Sequence, residues 1–201
     1  GRKTTTLDGD DVFDLAAEID RFSAVAKGEP SDDVILVSGE RAEYAMPAAA
    51  LSARSGDAVL FATRGELPEP TATALKRHEK PDVFVLGPES VIGNEVLRKL
   101  RPLARRVQRI DGPTPVQNAI EFARFRAGGF GWGADVPGQN LTIASTSRPL
   151  DAVGAASLAT NGVFAPLLLT DDAETLPRSL ESYLLDVQPG FEDDPRLSVF
   201  N

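Results

Sequence analysis

The residue types that could carry chemistry fall into a few short stretches. Gly129-Phe130-Gly131-Trp132-Gly133-Ala134 fits G-x-G-x-x-A, in which glycines let a pyrophosphate approach a helix N-terminus. That use needs a strand before it and a helix after it. Here the stretch follows a helical pattern, Pro115 to Arg126, and runs into Pro137-Gly138, so it reads as a flexible loop with Trp132 on the surface or anchoring the loop. Leu86-Gly87-Pro88-Glu89-Ser90 does lie between a strand and a helix. Its N–H groups could hold an anion, although a plain turn accounts for it. Asp8, Asp10, Asp11 and Asp14 suggest a calcium loop but lack an oxygen ligand at Val12, a sixth-position glycine and a twelfth-position Glu. They read as a solvated helix start, where carboxylates favour the dipole.

The one histidine, His78, lies in Leu75-Lys76-Arg77-His78-Glu79-Lys80, a charged helix end where interaction with the last carbonyls explains it. With one His and no Cys, neither a multi-histidine metal site nor a thiolate nucleophile can be assembled. Asp and Glu are spread along the chain, and no catalytic pair stands out. A basic run without acidic residues does: Arg98, Lys99, Arg101, Arg105, Arg106 and Arg109. It reads either as ordinary helix-end charge or as a site for a phosphate- or carboxylate-bearing glycan, which arginine grips in a bidentate fork.

A chain of 201 residues, 42% hydrophobic and 25% charged, can bury a substantial core. Its net charge of −9 argues against general nucleic-acid binding, which needs clustered cations. No apolar run approaches the roughly 20 residues of a membrane span, so membrane insertion is not expected. Gly1 to Asp10 lacks the apolar core of a signal peptide.

These residues must be positioned by a repeated plan. Leu7-Asp8-Gly9 recurs as Ile110-Asp111-Gly112, each seven residues before an alanine, Ala16 or Ala119, in an amphipathic run. Val34-Ile35-Leu36-Val37-Ser38 matches Leu141-Thr142-Ile143-Ala144-Ser145, and Ala48-Ala49 matches Ala155-Ala156. Ala58 to Thr63 then matches Ala165 to Thr170, followed by Leu67-Pro68 and Leu176-Pro177. The offset grows by about four residues, as an insertion at Gly128 to Gly138 would produce. Strand-length apolar runs alternate with helical periodicity, which reads as α/β with mainly parallel sheets covered on both faces. Expected strands are Val34–Ser38, Val59–Thr63 and Asp82–Leu86; expected helices are Asp11–Ala26, Ala45–Ala53, Glu69–His78 and Ser90–Leu100, with Asp10 and Ser90 as N-caps. The expected modules are 1–107 and 108–201. The second breaks off at its third strand, around Leu197 to Asn201, leaving an open sheet edge.

Together these motifs resemble the cell wall-binding repeat 2 family. In copy one the resemblance is carried by Val37-Ser38-Gly39-Glu40, the small-residue helix through Ala48-Ala49-Ala50-Leu51, and the strand ending at Thr63. In copy two it is carried by Leu150-Asp151-Ala152, similar to the family's Pro-Asp-Ala helix start, and by Ala165-Pro166-Leu167-Leu168-Leu169-Thr170, similar to its Pro-Ile-Leu-Leu-Thr strand. The resemblance implies tandem Toprim-like or flavodoxin-like three-layer modules on an extracellular, cell-wall or cell-surface protein. It further implies that they attach to an anionic secondary cell-wall polymer and pack against neighbouring repeat modules of the same chain. By the resemblance, Pro166, Leu167, Leu168 and Leu169 mark the ligand-binding region, and copy one departs from it at Ala58 to Ala62. The family's Arg in the module opening is replaced by Val12 and Pro115, which leaves Arg105, Arg106 and Arg109 as the cations for the polymer. The expectation is a non-enzymatic anchor with no cofactor and no metal. The alternatives are a cytosolic α/β enzyme binding a nucleotide or small molecule, and a packing module without a ligand.

Overall fold

A computed structural model describes residues 4–160, 165–172, 174–189 and 199–200. Copy one is built on a four-stranded parallel sheet in the order β2-β1-β3-β4. Its strands are β1 (Asp33–Ser38), β2 (Ala58–Ala62), β3 (Asp82–Leu86) and β4 (Arg106–Ile110). Helix α1 (Val12–Lys27) leads into β1, and α2 (Ala42–Ser55), α3 (Glu69–Arg77) and α4 (Asn94–Leu100) connect the strands. β1 and β3 are apolar at nearly every position because both faces are covered. Leu36, Val85, Leu75 and Leu100 share one cluster; Ile35, Val37, Phe84 and Met46 share the other.

Copy two repeats the plan. Helices α5 (Pro115–Arg124), α6 (Pro149–Thr160) and α7 (Arg178–Val187) surround a parallel sheet ordered β8-β7-β9, with β7 (Leu141–Ser145), β8 (Leu167–Thr170) and β9 (Val199–Phe200). That order is the same as β2-β1-β3, and the α/β reading of tandem three-layer units with mainly parallel sheets holds. The Asp-Gly openings have a packing reason. A methyl on Gly9 would overlap the backbone nitrogen of Leu15, and one on Gly112 that of Asn118. In both copies the glycine lets the chain press against the first turn of its helix six residues on.

Several expectations are corrected. The cap of α1 is Asp11, which accepts from Phe13 and Asp14 N–H at 2.8 Å, while the Asp10 N–H donates to Asp14 Oδ2. The fourth helix begins at Asn94 behind Gly93, not at Ser90. Part of the basic run forms β4, a parallel edge strand that carries Arg106 and Arg109 three residues apart. The glycine-rich insertion is no flexible loop. It forms a hairpin of β5 (Arg126–Ala127) and β6 (Phe130–Gly131), with Phe130 stacked on Phe84 at 3.7 Å between ring centroids. Trp132 behind it is buried, so it anchors the loop rather than lying on the surface.

The copies are held together through α2, which packs against α5, α6 and β8. Its Met46, Ala50 and Leu51 share one cluster with Phe122, Ala144, Leu167 and Leu169.

Candidate functional site

Two openings merit a chemical reading. The first is a cleft of about 520 Å³ in copy one between α1 and α2. Its floor is Val37, Val59 and Phe61, and its walls are small residues, Ala16 and Ala24 on α1 and Ala45, Ala49 and Ala53 on α2. Lys27 Nζ donates to the Gly56 carbonyl and closes one end. In copy two the corresponding face of β8 is covered. The strand registers pair Ser38 with Ala62 and Ser145 with Thr170, which sets Val59 and Phe61 opposite Leu167 and Leu169 in the repeat. Sequence matching alone aligned these strands one residue out of step. Val59 and Phe61 are half-buried beside an open cleft, whereas Leu167 and Leu169 are fully buried in the cluster that α2 joins.

The helices show the same asymmetry. Met46 and Ala50 on α2 are buried, but Val153 and Ser157, at the same repeat positions on α6, are exposed, Val153 by 69%. On α1, Val12, Leu15, Ile19 and Phe22 recur at helical spacing and remain 38% to 48% exposed. An apolar stripe of this kind is the face a surface helix normally buries.

The second opening is a groove of about 900 Å³ at the carboxyl ends of β7 and β8 beside α6. Hydroxyls line it: Ser145, Ser147, Thr170 and Thr175, with Arg148 and Asp172 among them. Ser145 Oγ accepts from the Ser147 N–H at 3.3 Å and lies 2.9 Å from Ser147 Oγ. Asp172 is held below the usual carboxylate range by the Glu174 N–H, then by the Thr175 hydroxyl and N–H. Arg148 Nε lies 3.1 Å from Asp151 Oδ2, and both side chains are largely in solvent.

Pro166 precedes β8, and Leu167, Leu168 and Leu169 form most of the strand that leads into this groove; all four are buried. None of the four lines the groove; β8 reaches it only through Thr170 at its carboxyl end. The arginines lie in the other sheet and divide into two places. Arg105 Nε and Arg106 Nη2 each donate to Asp82 at 2.8 Å. The Arg105 hydrogen bond is the largest reason that Asp82 stays below the usual carboxylate range; partial burial opposes it. Both arginines keep about half or more of their side chains in solvent, 64% and 47%. Arg109 turns inward at the other end of β4, donating to the Gly87 and Ile92 carbonyls at 2.6 and 2.7 Å.

Sequence reasoning missed Ser145, Ser147, Arg148 and Asp172. A signal for two of them was present, because Ser38 and Arg41 stand at the same offsets in copy one as Ser145 and Arg148 in copy two. It also misjudged His78, whose ring reaches past the helix end to Asp20 and Ser31. Among the described residues no cluster of three or more potential metal ligands gathers, and no helix is long and apolar enough to cross a membrane.

A duplicated three-layer α/β unit joined head to tail through one helix defines a repeat-type protein. Residues 6–97, within copy one, match the model of the family described as cell wall binding domain 2 (CWB2), the family that the motifs resemble. With this match the expected association with the cell wall or cell surface stands. Among solved structures the chain is similar to Cwp6 from Clostridium difficile, with a TM-score of 0.71 at 22% identity over 89% of this chain and 26% of that one. It is also similar to Cwp8 from Clostridium difficile, with a TM-score of 0.67 at 19% identity over 96% of this chain and 34% of that one. These are likenesses of fold, and the chain spans about a quarter to a third of the length of those proteins. No curated protein matches the chain.

Proposed function

We propose that the chain is a non-catalytic anchor that binds an anionic cell-wall polymer and is completed by packing against a further repeat. The family match of residues 6–97 carries this reading. We take the modules as 1–107 and 108–201, with β4 running across the joint.

Polymer binding is assigned to the groove at the ends of β7 and β8, since ligands in open α/β sheets sit beyond the carboxyl ends of the strands. Buried Pro166 to Leu169 fix where β8 ends, and the hydroxyls of Ser145, Ser147 and Thr170 with Arg148 meet the glycan. Arg105 and Arg106 keep enough exposure to engage an anionic stretch of polymer while paired to Asp82, and Arg109 shapes the turn at Gly87. The test is cosedimentation with purified walls of the source organism, before and after acid extraction of secondary polymers, at two salt concentrations. Binding that vanishes with the polymer and weakens with salt is expected. Equal binding to extracted walls overturns the reading.

The neighbouring module is argued from the repeat itself. A head-to-tail interface uses two different patches, so a row of two copies leaves one of each unused. The open cleft beside α1 is the unused acceptor, and the Val153 face of α6 is the unused insert. A helix equivalent to α2 from a further repeat fits the first. Carbene footprinting should label Ile19 and Val153 strongly in the 201-residue chain, and both weakly in a chain extended by a third repeat that closes the row into a ring, filling the cleft with its own insert and receiving α6 in its acceptor. Equal labelling in both overturns the docking.

A further inference from the structure

His78 caps the carboxyl end of α3, and its side chain is wholly covered. Its Nδ1 lies 2.7 Å from the Ser31 carbonyl oxygen and its Nε2 3.0 Å from Asp20 Oδ1. A carbonyl oxygen and an ionised carboxylate can only accept. Both ring nitrogens must then donate, and only the imidazolium does that.

Three elements meet on this ring. Asp20 belongs to α1 and its side chain is only 6% exposed; Ser31 belongs to the connection from α1 to β1; His78 ends α3. The charged groups facing the ring are Asp20 from α1 and Arg77 from α3, and the connection presents only the Ser31 carbonyl. Arg77 Nη2 reinforces the junction by donating to the Ala17 carbonyl at 2.8 Å and lies 3.5 Å from Asp20 Oδ2.

We propose that His78 is a protonation-dependent latch: with both ring nitrogens donating it fastens α1 to α3, and loss of its proton frees α1, the outer wall of the open cleft. The link to docking rests on the reading of that cleft given above; the latch does not. Burial of the ring opposes its charge, but the Asp20 hydrogen bond, the Ser31 carbonyl and the charge of Asp20 outweigh it, and His78 holds its proton to higher pH than an ordinary histidine. A group whose pKa is raised by folding contributes fully below its unfolded value, about 6.5 for histidine, and loses that contribution as pH rises through the folded value. The latch is therefore shut in acid solution and opens as pH rises through the folded value.

The chain has a single histidine, so its ring gives one set of nitrogen resonances. At pH 6 both nitrogens should carry protons, and the ring should titrate above about 6.5. Amide exchange in α1, corrected for its intrinsic pH dependence, should speed up with the same midpoint, on the order of tenfold for each unit by which folding raises the pKa. A neutral ring at pH 6, an ordinary midpoint, or α1 exchange that ignores the titration overturns the proposal. His78→Gln keeps a donor for Asp20 but has no proton to lose, so its α1 exchange should show no step between pH 6 and 9; a surviving step is fatal. Should that variant fail to fold, Asp20→Asn must lower the ring midpoint, and an unmoved midpoint is equally fatal. None of these readouts requires a neighbouring module, so the latch and the docking fail separately.

Discussion

β2 and β8 occupy the same place in two copies of one plan, yet they live in different surroundings. Leu167 and Leu169 of β8 are fully buried beneath a helix of the other copy, while Val59 and Phe61 of β2 look into a cleft. Position in the repeat fixes the strand, its parallel partners and its end. What covers the strand is fixed by the neighbour. A repeat protein therefore carries its binding surfaces at its unmatched faces, since each interior interface consumes one acceptor and one insert.

The sharpest way to break this comparison is to truncate equivalent strand residues. Leu167→Ala should lose about 2–5 kcal/mol, the usual cost of emptying a buried leucine site. Val59→Ala should lose about 1 kcal/mol or less, because its side chain is half-exposed and removes little buried surface. Denaturant titration of both variants measures the difference. Similar losses would mean that α2 does not cover β8 as described.

The next test sharpens the likeness rather than the contrast. Gly9→Ala and Gly112→Ala both force a methyl into the backbone of the following helix, and relieving such overlap typically costs about 1–3 kcal/mol. The two variants should be destabilised to a similar degree. If only one is affected, the module openings are not equivalent.

Much of this was legible in the sequence because the repeat was. Copies of Asp-Gly, of the β1-type run ending in serine, and of the small-residue helix set the order of elements, and the structure returns the same strand order in both sheets. β4 escaped because Arg106-Val107-Gln108-Arg109-Ile110 has the composition of a solvated segment; as an edge strand it needs only part of its surface apolar. The insertion escaped because glycines that read as looseness serve a tight hairpin, with Gly131 and Gly133 at positive φ, while Phe130 and Trp132 do the packing. His78 escaped because its partner Asp20 is 58 residues away in the chain, and no local pattern announces such a contact. The groove hydroxyls had a repeat signal but no motif.

Acid should separate the copies again. Asp82, held by Arg105 and Arg106 at the start of β3 in the copy-one sheet, has its pKa lowered by folding. Its contribution is present above the ordinary carboxylate value of about 3.9 and is lost as pH falls through the lower folded value. Amides of β3 and β4 should then lose protection below about pH 4, earlier than those of β7. Asp82→Asn should show weaker protection at neutral pH and no such acid step. Simultaneous loss in both sheets would remove Asp82 as the cause.

The smallest expected effect on stability is the most telling for function. Arg41 and Arg148 hold the same repeat position, and each pairs with a carboxylate close by in the chain, Arg41 with Glu43 at 2.6 Å and Arg148 with Asp151 at 3.1 Å. Both are exposed, and exposed pairs contribute about 0–1 kcal/mol, so alanine at either site should leave the unfolding midpoint nearly unmoved. Wall binding should part them. Arg148 lines the hydroxyl-bearing groove, and its loss removes a cation from the proposed polymer site, weakening binding and flattening its salt dependence. The Arg41 guanidinium lies over the Tyr44 ring instead. Equal effects on binding would spread the polymer over both copies and dissolve the functional difference between them; an effect of Arg41→Ala alone would move the site to copy one.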